Sequence, residues 1–437
     1  MSDDLHIAAD WRPGSYDDPA EAATAAEVTV SVGMQSLSSV QDPDAAEVAF
    51  GARLPAIILA QGMARNWWRL LYEPQHVFER RQEPDLRFEA RHRLDSFTPG
   101  YVFPPIGIWS GGETVMVGTF AADTRFHNKS FLLPHRHPWS VARGPAEGAL
   151  GAFITSVLER LQATMPAYAE LKAEWDRIVH STHDAEERGW CTNAGRLGLD
   201  PYSGDTPDLS QLSAGMHEQL FADVCEAGNP TDINRTCDWV RATTARFRSI
   251  SPISIRAFGG APFRDLNQPG WMNGRDGVTL LHERLRLPLD PKQALEGIFD
   301  GADQAAEYRA NDSAAGEVEG VGRRTNGREL KTVVPARSVL QQRFRMCRTA
   351  YLAWRAGSEG EFAATPADTW RQQASRAFAA ELLAPAQLLK GRYGKTGLNR
   401  HAVERLASEW LCPPQIIVHQ AKNNGIEVKG VETAAYF

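Results

Sequence analysis

Cysteine is scarce in this sequence of 437 residues, and none of it stands in a C-x-x-C pair. An odd number of cysteines without that spacing favours neither a disulfide framework nor a thiolate zinc site. We therefore expect a reducing, cytoplasmic compartment. The five residues are Cys191, Cys225, Cys237, Cys347 and Cys412.

Long hydrophobic runs are also missing. The longest strongly apolar stretch covers residues 54–63, about half of the roughly 20 residues that are needed to cross a bilayer. The first residues, MSDDLHIAADWRPG, carry acidic side chains where a signal peptide needs positive charge before an apolar run. We expect neither export nor association with a membrane.

The chain has no excess of positive charge, since its 47 lysines and arginines stand against 54 aspartates and glutamates, a net charge of −7. This excludes a global basic field that would attract nucleic acid or anionic lipid, although it allows a local basic patch. Hydrophobic residues make up 43% of the chain and charged residues 23%, which is typical of a folded globular protein. The sequence also lacks the G-x-S-x-G elbow of serine hydrolases and the P-loop of nucleotide-binding proteins.

Composition along the chain predicts a multidomain α+β protein. Residues 1–25 are typical of a flexible leader, and residues 26–165 of an α+β domain whose role the sequence does not indicate. Residues 166–250 predict a helical middle domain. Residues 251–329 predict a loop-rich connector, and residues 330–437 a mostly helical C-terminal domain.

Two local patterns within these domains give sharper predictions. The segments IGIWS and ETVMVGTF alternate as strands do, and Gly111 and Gly112 between them supply the backbone freedom of a tight turn. We expect a β-hairpin there. Residues 303–328 are polar and rich in glycine, which predicts a flexible loop or a boundary.

The most informative stretch lies near the C-terminus, where residues 372–385 are QQASRAFAAELLAP. The run F-A-A-E-L-L-x-P follows an earlier helix that begins R-F-x-x-x-R, and this arrangement resembles the ImmA/IrrE family of bacterial metallopeptidases. Residues 403–425, VERLASEWLCPPQIIVHQAKNNG, resemble the closing helix pair of that family. The resemblance covers residues 330–430 or so and implies a zincin-like fold for them.

Active members of that family carry an H-E-x-x-H helix. Two histidines four residues apart share one helical face and hold Zn²⁺, and the glutamate deprotonates the zinc-bound water. The resemblance places Arg348 at the first histidine, Thr349 at the glutamate and Leu352 at the second histidine. The acidic third ligand of the family falls on Gln372.

None of these four residues can perform the chemistry of the family. Arg348 keeps its positive charge and repels a divalent cation, Leu352 has no donor atom, and Thr349 is no base at its ordinary pKa. Residues 341–357 contain no His, Asp or Glu, so a shifted alignment does not restore the site. We therefore predict a degenerate site with no catalytic residue, no cofactor and no metal ion.

The resemblance also implies a biological setting. Active members of the family cleave regulators in mobile elements, stress responses and phage-related loci. A member without the zinc ligands keeps the groove that holds a partner and loses cleavage. Our first hypothesis is therefore a regulatory or scaffold protein that binds a protein partner.

An alternative hypothesis is an active metallopeptidase that recruits zinc through other residues. His180 and His183 stand three residues apart on a predicted helix, with Asp184 beside them. His282 begins an incomplete H-E-R-L-R motif, which lacks the second histidine. A further histidine group in a predicted loop comprises His127, His135 and His137.

A second alternative is a DNA-binding transcriptional regulator. Residues 405–423 combine a helix, a turn that contains Pro413 and Pro414, and a second helix, which matches helix-turn-helix spacing. Lys422 is the only cation of the second helix. A helix of the middle domain offers a further basic surface through Arg241, Arg246 and Arg248.

Overall fold

The computed structural model describes residues 4–42, 47–76, 86–121, 130–132, 138–255, 258, 265–266, 268–299, 307–310 and 313–430. Across these ranges the chain combines helices with several small sheets, which confirms the predicted multidomain α+β class. It divides into two compact units. Unit 1 comprises residues 1–75 and 83–209, and unit 2 comprises residues 76–82 and 210–437.

Unit 1 packs helices against small antiparallel sheets. Its strands are β1 (Leu5–Trp11), β2 (Ala25–Val32), β3 (Gln35–Ser36), β4 (Val40–Asp42), β5 (Glu47–Ala49), β6 (Ala52–Pro55), β7 (Ile106–Ser110), β8 (Thr114–Thr119), β9 (Ser130–Phe131) and β10 (Trp139–Ala142). Its helices are α1 (Pro19–Ala23), α2 (Ala56–Arg65), α3 (Trp67–Tyr72), α4 (Leu86–His92), α5 (Arg143–Arg160), α6 (Pro166–His183) and α7 (Ala185–Arg196). The boundary between the units falls within α8 (Leu209–Ser213).

The sheets of unit 1 are antiparallel. One has the order β1-β2-β3 with β6 also paired to β2, a second has the order β10-β8-β7, and a third has the order β5-β4-β9. The β7–β8 pair is the hairpin that the sequence predicts, and Gly112 takes the positive φ of 93° in its turn. The alternating apolar residues of β7 and β8 are buried in the core of the unit.

The N-terminal segment differs from the predicted flexible leader. β1 pairs with β2 along its whole length, from Leu5 opposite Val32 to Trp11 opposite Ala26. Every second residue of β2 from Val28 to Val32 is fully buried. A slip of one residue would turn the buried valines of β2 outward, so the register of the strand is fixed. β1 forms by pairing with β2.

Unit 2 is built around a second core. Its helices are α9 (Glu218–Ala227), α10 (Ile233–Ala245), α11 (Gly270–Leu285), α12 (Pro291–Ile298), α13 (Val339–Arg355), α14 (Trp370–Leu383), α15 (Ala386–Tyr393), α16 (Arg400–Trp410) and α17 (Pro414–Asn423). Its strands are β11 (Ile253–Ser254), β12 (Glu307–Ala310), β13 (Gly320–Thr325), β14 (Glu329–Ala336), β15 (Gly360–Ala364), β16 (Leu398–Asn399) and β17 (Val428–Lys429).

The main sheet of unit 2 has the order β11-β14-β13-β15, and β12 pairs parallel with β14. β13 and β14 form a hairpin whose turn holds Asn326 at φ 52° and Gly327 at φ 65°, the pair of positive φ values that an Asn-Gly turn supplies. The sequence predicted a loop-rich connector over residues 251–329. The structure places α11, α12 and this hairpin strand there.

Glycines let α11 approach α14 closely. A Cβ on Gly274 would lie 2.2 Å from the carbonyl oxygen of Ala374, and one on Gly270 would lie 2.1 Å from that of Trp370. Any larger residue would therefore push the two helices apart. α14 carries the FAAELL run, so α11 covers the part of the chain on which the family resemblance rests.

Candidate functional site

Helix α13 carries three of the four positions that the sequence aligns with the zinc site. Ser338 caps its first turn by accepting a hydrogen bond from the backbone N–H of Gln341 at 3.2 Å. At the other end, Arg324 donates to the carbonyl oxygens of Ala353 and Trp354 at 2.9 and 3.1 Å. These two contacts fix the helix at both ends, and residues 346–354 are all buried.

The guanidinium of Arg348 lies in the interior, with only 1% of its side chain exposed. Its Nε donates to the Ser375 hydroxyl at 3.1 Å, and its Nη2 donates to the Thr365 carbonyl oxygen at 2.7 Å. Nη1 is paired with the carboxylate of Glu319. A buried charge needs such a complete set of partners, because an unpaired one would cost several kcal/mol.

Gln372 meets Arg348 directly, since Arg348 Nη2 donates to Gln372 Oε1 at 2.8 Å. The two positions that the resemblance aligns with the first histidine and the acidic third ligand therefore lie side by side. They belong to different helices and are 24 residues apart in the chain. Gln372 is fully buried on α14, within the first two turns of the FAAELL helix.

The amide of Gln372 also occupies the outer edge of β15. Its Nε2 donates to the Ala363 carbonyl oxygen at 2.8 Å, and its Oε1 accepts from the Thr365 backbone N–H at 3.1 Å. The side-chain amide thus pairs with the strand as a peptide group of a neighbouring strand would. On the same edge, the Ala363 N–H donates to Asp223 of α9 at 2.8 Å, and Arg371 pairs with that carboxylate.

Thr349 and Leu352 make different contacts. The Thr349 hydroxyl donates to the Met346 carbonyl oxygen at 2.9 Å and lies 3.2 Å from the hydroxyl of Thr332 on β14. Leu352 is fully buried among the apolar side chains of the core of unit 2. The structure therefore joins Arg348 and Gln372 through a hydrogen bond, and it uses Thr349 and Leu352 in packing.

These residues do not fit the zinc ion that the resemblance implies for active relatives. Zinc takes thiolate, imidazole and carboxylate donors, and here a cation stands where the first ligand would be. The neighbouring thiol does not help, since burial raises the pKa of Cys347 to about 12 and keeps it protonated. Within the described ranges, no group of three His, Cys, Asp or Glu side chains is arranged to hold a metal ion.

The other histidine candidates are dispersed. His180 is exposed on α6, with its Nε2 3.6 Å from Glu187 Oε2, and His183 is exposed one turn later. His282 on α11 contacts the Leu287 carbonyl oxygen through its Nδ1 at 3.2 Å, which is a contact at a helix end. His127, His135 and His137 lie outside the described residues.

Sequence reasoning missed Glu319 and Asp223, the two acids that meet the arginines of this cluster. Glu319 falls in the polar segment predicted as a loop or boundary, and Asp223 is one of three carboxylates on α9. The signal that could have located them is Arg348 itself. An arginine on the apolar face of a helix requires a buried acid elsewhere in the chain.

Unit 1 holds a second buried polar cluster, around Glu73. His92 is fully buried, and its Nε2 lies 3.1 Å from Glu73 Oε2, while its Nδ1 lies 2.6 Å from the Ile108 carbonyl oxygen. Arg91 Nε donates to Glu73 Oε2 at 2.9 Å. Burial would raise the pKa of Glu73, but the charges and hydrogen bonds of His92 and Arg91 outweigh it and lower the pKa to about 2.

This cluster predicts that acid weakens unit 1. Because the pKa of Glu73 is lower in the folded state, its contribution is complete above the ordinary glutamate value near 4.5 and is lost as the pH falls toward 2. A shift of that size corresponds to about 3 kcal/mol. We expect the protection factors of the amides of residues 86–110, taken relative to the intrinsic exchange rate at each pH, to fall over this range, and Glu73→Gln to flatten the dependence. Glu170→Gln, a change of an exposed glutamate on α6, is the control and should keep the wild-type profile.

Comparisons of this chain with protein-family models, with curated proteins and with solved structures find no match. The described helices also include none that is both long enough and apolar enough to cross a membrane. What unit 2 does must therefore be argued from its own contacts.

Proposed function

We propose that unit 2 is a catalytically silent, ImmA/IrrE-like domain of a regulatory or scaffold protein that binds a protein partner. The observation that carries this proposal is the 2.8 Å hydrogen bond between Arg348 and Gln372. Two positions that were aligned by sequence motif alone, on separate helices, meet in space. This contact supports the proposal, since the zinc site of that family requires the two positions to lie side by side.

The contacts around Arg348 support the absence of cleavage. The guanidinium, the Gln372 amide and the Ser375 hydroxyl satisfy one another, so the cluster stabilises the fold and leaves no donor set for a metal ion. The outer edge of β15 is occupied by Gln372 and Asp223, so an extended peptide cannot add to it as a further strand. A partner would therefore bind elsewhere on the unit.

Metal content tests the silent site directly. We expect the purified, untagged protein to retain far less than one zinc ion per chain after dialysis against a weak chelator, measured by elemental analysis. The physical reason is that Arg348 and Leu352 supply no ligand. Near-stoichiometric zinc that survives dialysis would contradict this proposal and favour the alternative of an active metallopeptidase with other ligands.

A further inference from the structure

The last two helices of unit 2, α16 and α17, are flanked by two short strands that pair with each other. α16 begins after Asn399, whose side chain accepts from the Ala402 N–H at 2.9 Å, and α17 ends at Asn423. The strands that flank the pair, β16 and β17, run parallel and join at Leu398 opposite Val428. The pairing of these two strands holds the start of α16 close to the chain that follows α17.

The connection between these helices has the length of a helix-turn-helix turn. Three residues separate α16 from α17, and the first of them, Leu411, is left-handed at φ 52°, a conformation usually left to glycine. Cys412 donates its N–H back to the Ala407 carbonyl oxygen at 3.1 Å and is fully buried. Leu406, Trp410 and Ile417 pack between the helices, with 1% exposure at most.

One face of α17 is buried and the other is open. Gln420 Nε2 donates to Glu381 Oε2 at 2.9 Å and to the Ala384 carbonyl oxygen at 3.1 Å, which docks the helix against the end of α14. On the opposite side the helix presents polar side chains, half-buried at its start and exposed at its end. They are Gln415, His419, Lys422 and Asn423.

This region is basic although the chain as a whole is acidic. Residues 386–430 carry seven lysines and arginines and three glutamates, a net charge of +4 in a chain of −7. The cations are Lys390, Arg392, Lys395, Arg400, Arg405, Lys422 and Lys429. Exposed positive charges repel one another, so this local excess of positive charge favours binding of an anionic partner.

A groove of about 280 Å³ lies between the end of α15 and the start of α16. It is lined by Thr396, His401 and Arg405, and Arg405 Nη2 donates to the Tyr393 hydroxyl at 2.6 Å. The groove is beside the first turn of α16, where backbone N–H groups favour an anion. Arg405 gives this groove the positive charge that a backbone phosphate requires.

We propose that α16 and α17 form a DNA-binding helix-turn-helix, in which α17 enters the major groove and the groove around Arg405 takes a backbone phosphate. The length of the turn, the polar face of α17 and the local positive charge all favour duplex DNA over a protein partner on this surface. This inference does not rest on the silent peptidase site. It adds a nucleic-acid partner to the protein.

The second basic surface considered from the sequence is engaged by the protein itself at Arg241. This residue donates to the carbonyl oxygens of Gln211, Leu212 and Ala214 and pairs with Asp238. Arg246 is half-buried and Arg248 is exposed. Because Arg241 is held by these contacts, the proposal is confined to α16 and α17.

Fluorescence anisotropy of the full-length protein with a labelled 30-base-pair duplex tests the proposal. We expect a dissociation constant in the micromolar range in about 50 mM salt, and a plot of log K against log salt with a slope of about −4 for about four phosphate contacts. Lys395→Glu with Lys422→Glu should weaken binding at least about tenfold and make the slope shallower by about 2.

Lys292→Glu is the control, since it makes one such charge reversal, half the change of the double variant, at an exposed lysine of α12 in the same unit. Circular dichroism confirms that both variants fold. The proposal is overturned if wild type does not bind the duplex in low salt, or if the double variant binds as well as Lys292→Glu. Binding to anionic lipid vesicles without binding to the duplex would also overturn it and assign the surface to a membrane.

Discussion

Replacing Arg348 by alanine is expected to cost unit 2 about 3 to 5 kcal/mol of unfolding free energy, the usual loss when one partner of a buried, hydrogen-bonded charge pair is removed. The Thr365 carbonyl oxygen, Gln372 Oε1 and the Ser375 hydroxyl oxygen would each lose an N–H donor of Arg348. The vacated volume adds a cavity. Hydrogen exchange of the α13 amides in increasing urea measures the loss within unit 2 alone.

Two variants separate charge from volume in this experiment. Arg345→Ala removes an arginine from the same helix, with Nη2 3.7 Å from the same Glu319 and Nη1 donating to the Pro335 carbonyl oxygen. Because 18% of that side chain is exposed, we expect a smaller loss of about 1 to 2 kcal/mol. Arg348→Met keeps most of the volume and removes the donors, and it should lose most of what alanine loses. A loss at Arg348→Ala no larger than at Arg345→Ala would show that the cluster does not hold the unit together.

Local patterns predicted some elements of this fold well. IGIWS and ETVMVGTF have a clear period of two and a pair of glycines between them, and they form β7 and β8. Short-range periodicity and turn chemistry determine such a hairpin, so sequence reasoning finds it.

Elements that form through distant partners could not be predicted in this way. In the sequence, β1 resembles a leader because its alternation of apolar and polar residues is weak. It forms a strand because it pairs with the edge of β2. β13 lies in a glycine-rich stretch whose Gly320 and Gly322 face neighbouring side chains closely, 3.0 Å from Thr349 and 2.5 Å from Phe362 for an added Cβ. In β13 the glycines allow close packing, whereas a composition rich in glycine predicts a loop.

The candidate site shows the same division. The motif alone located Arg348 and Gln372, but their direct contact, and the partners Glu319 and Asp223, depend on tertiary structure. The sequence indicated that these positions offer no zinc ligands, but it could not indicate what surrounds them. In the structure, Arg348 and Gln372 belong to a hydrogen-bonded cluster that links α13, α14 and β15.

Restoring the ligands is expected to create a zinc site in unit 2. We expect the triple variant Arg348→His, Leu352→His and Gln372→Glu to bind one Zn²⁺ per chain with a dissociation constant at or below about 1 μM, where the wild type binds none. Positions 348 and 352 are one turn apart on α13, so two imidazoles there share a face. The side chain of Gln372 already meets the end of the Arg348 side chain.

Isothermal titration and the visible spectrum of the Co²⁺ form measure this site. Because ligand binding stabilises the folded state, zinc should also raise the free energy of unfolding of the variant. The expected increase is about 2.7 kcal/mol when free zinc is 100 times the dissociation constant. The matched control is Arg348→His, Leu352→Ala and Gln372→Glu, which lacks one ligand and should bind at least about a hundredfold more weakly.

The triple variant decides between two accounts of the same cluster. If α13 and α14 form a peptidase-like scaffold, the three positions converge on one point, and only side-chain chemistry separates the silent site from a metal site. If the FAAELL helix is an ordinary core helix, histidines at 348 and 352 are merely buried polar groups, which destabilise the fold and gain nothing from zinc. A folded triple variant that binds zinc no better than its two-ligand control would therefore contradict the proposed ImmA/IrrE-like scaffold, whatever the wild-type metal content.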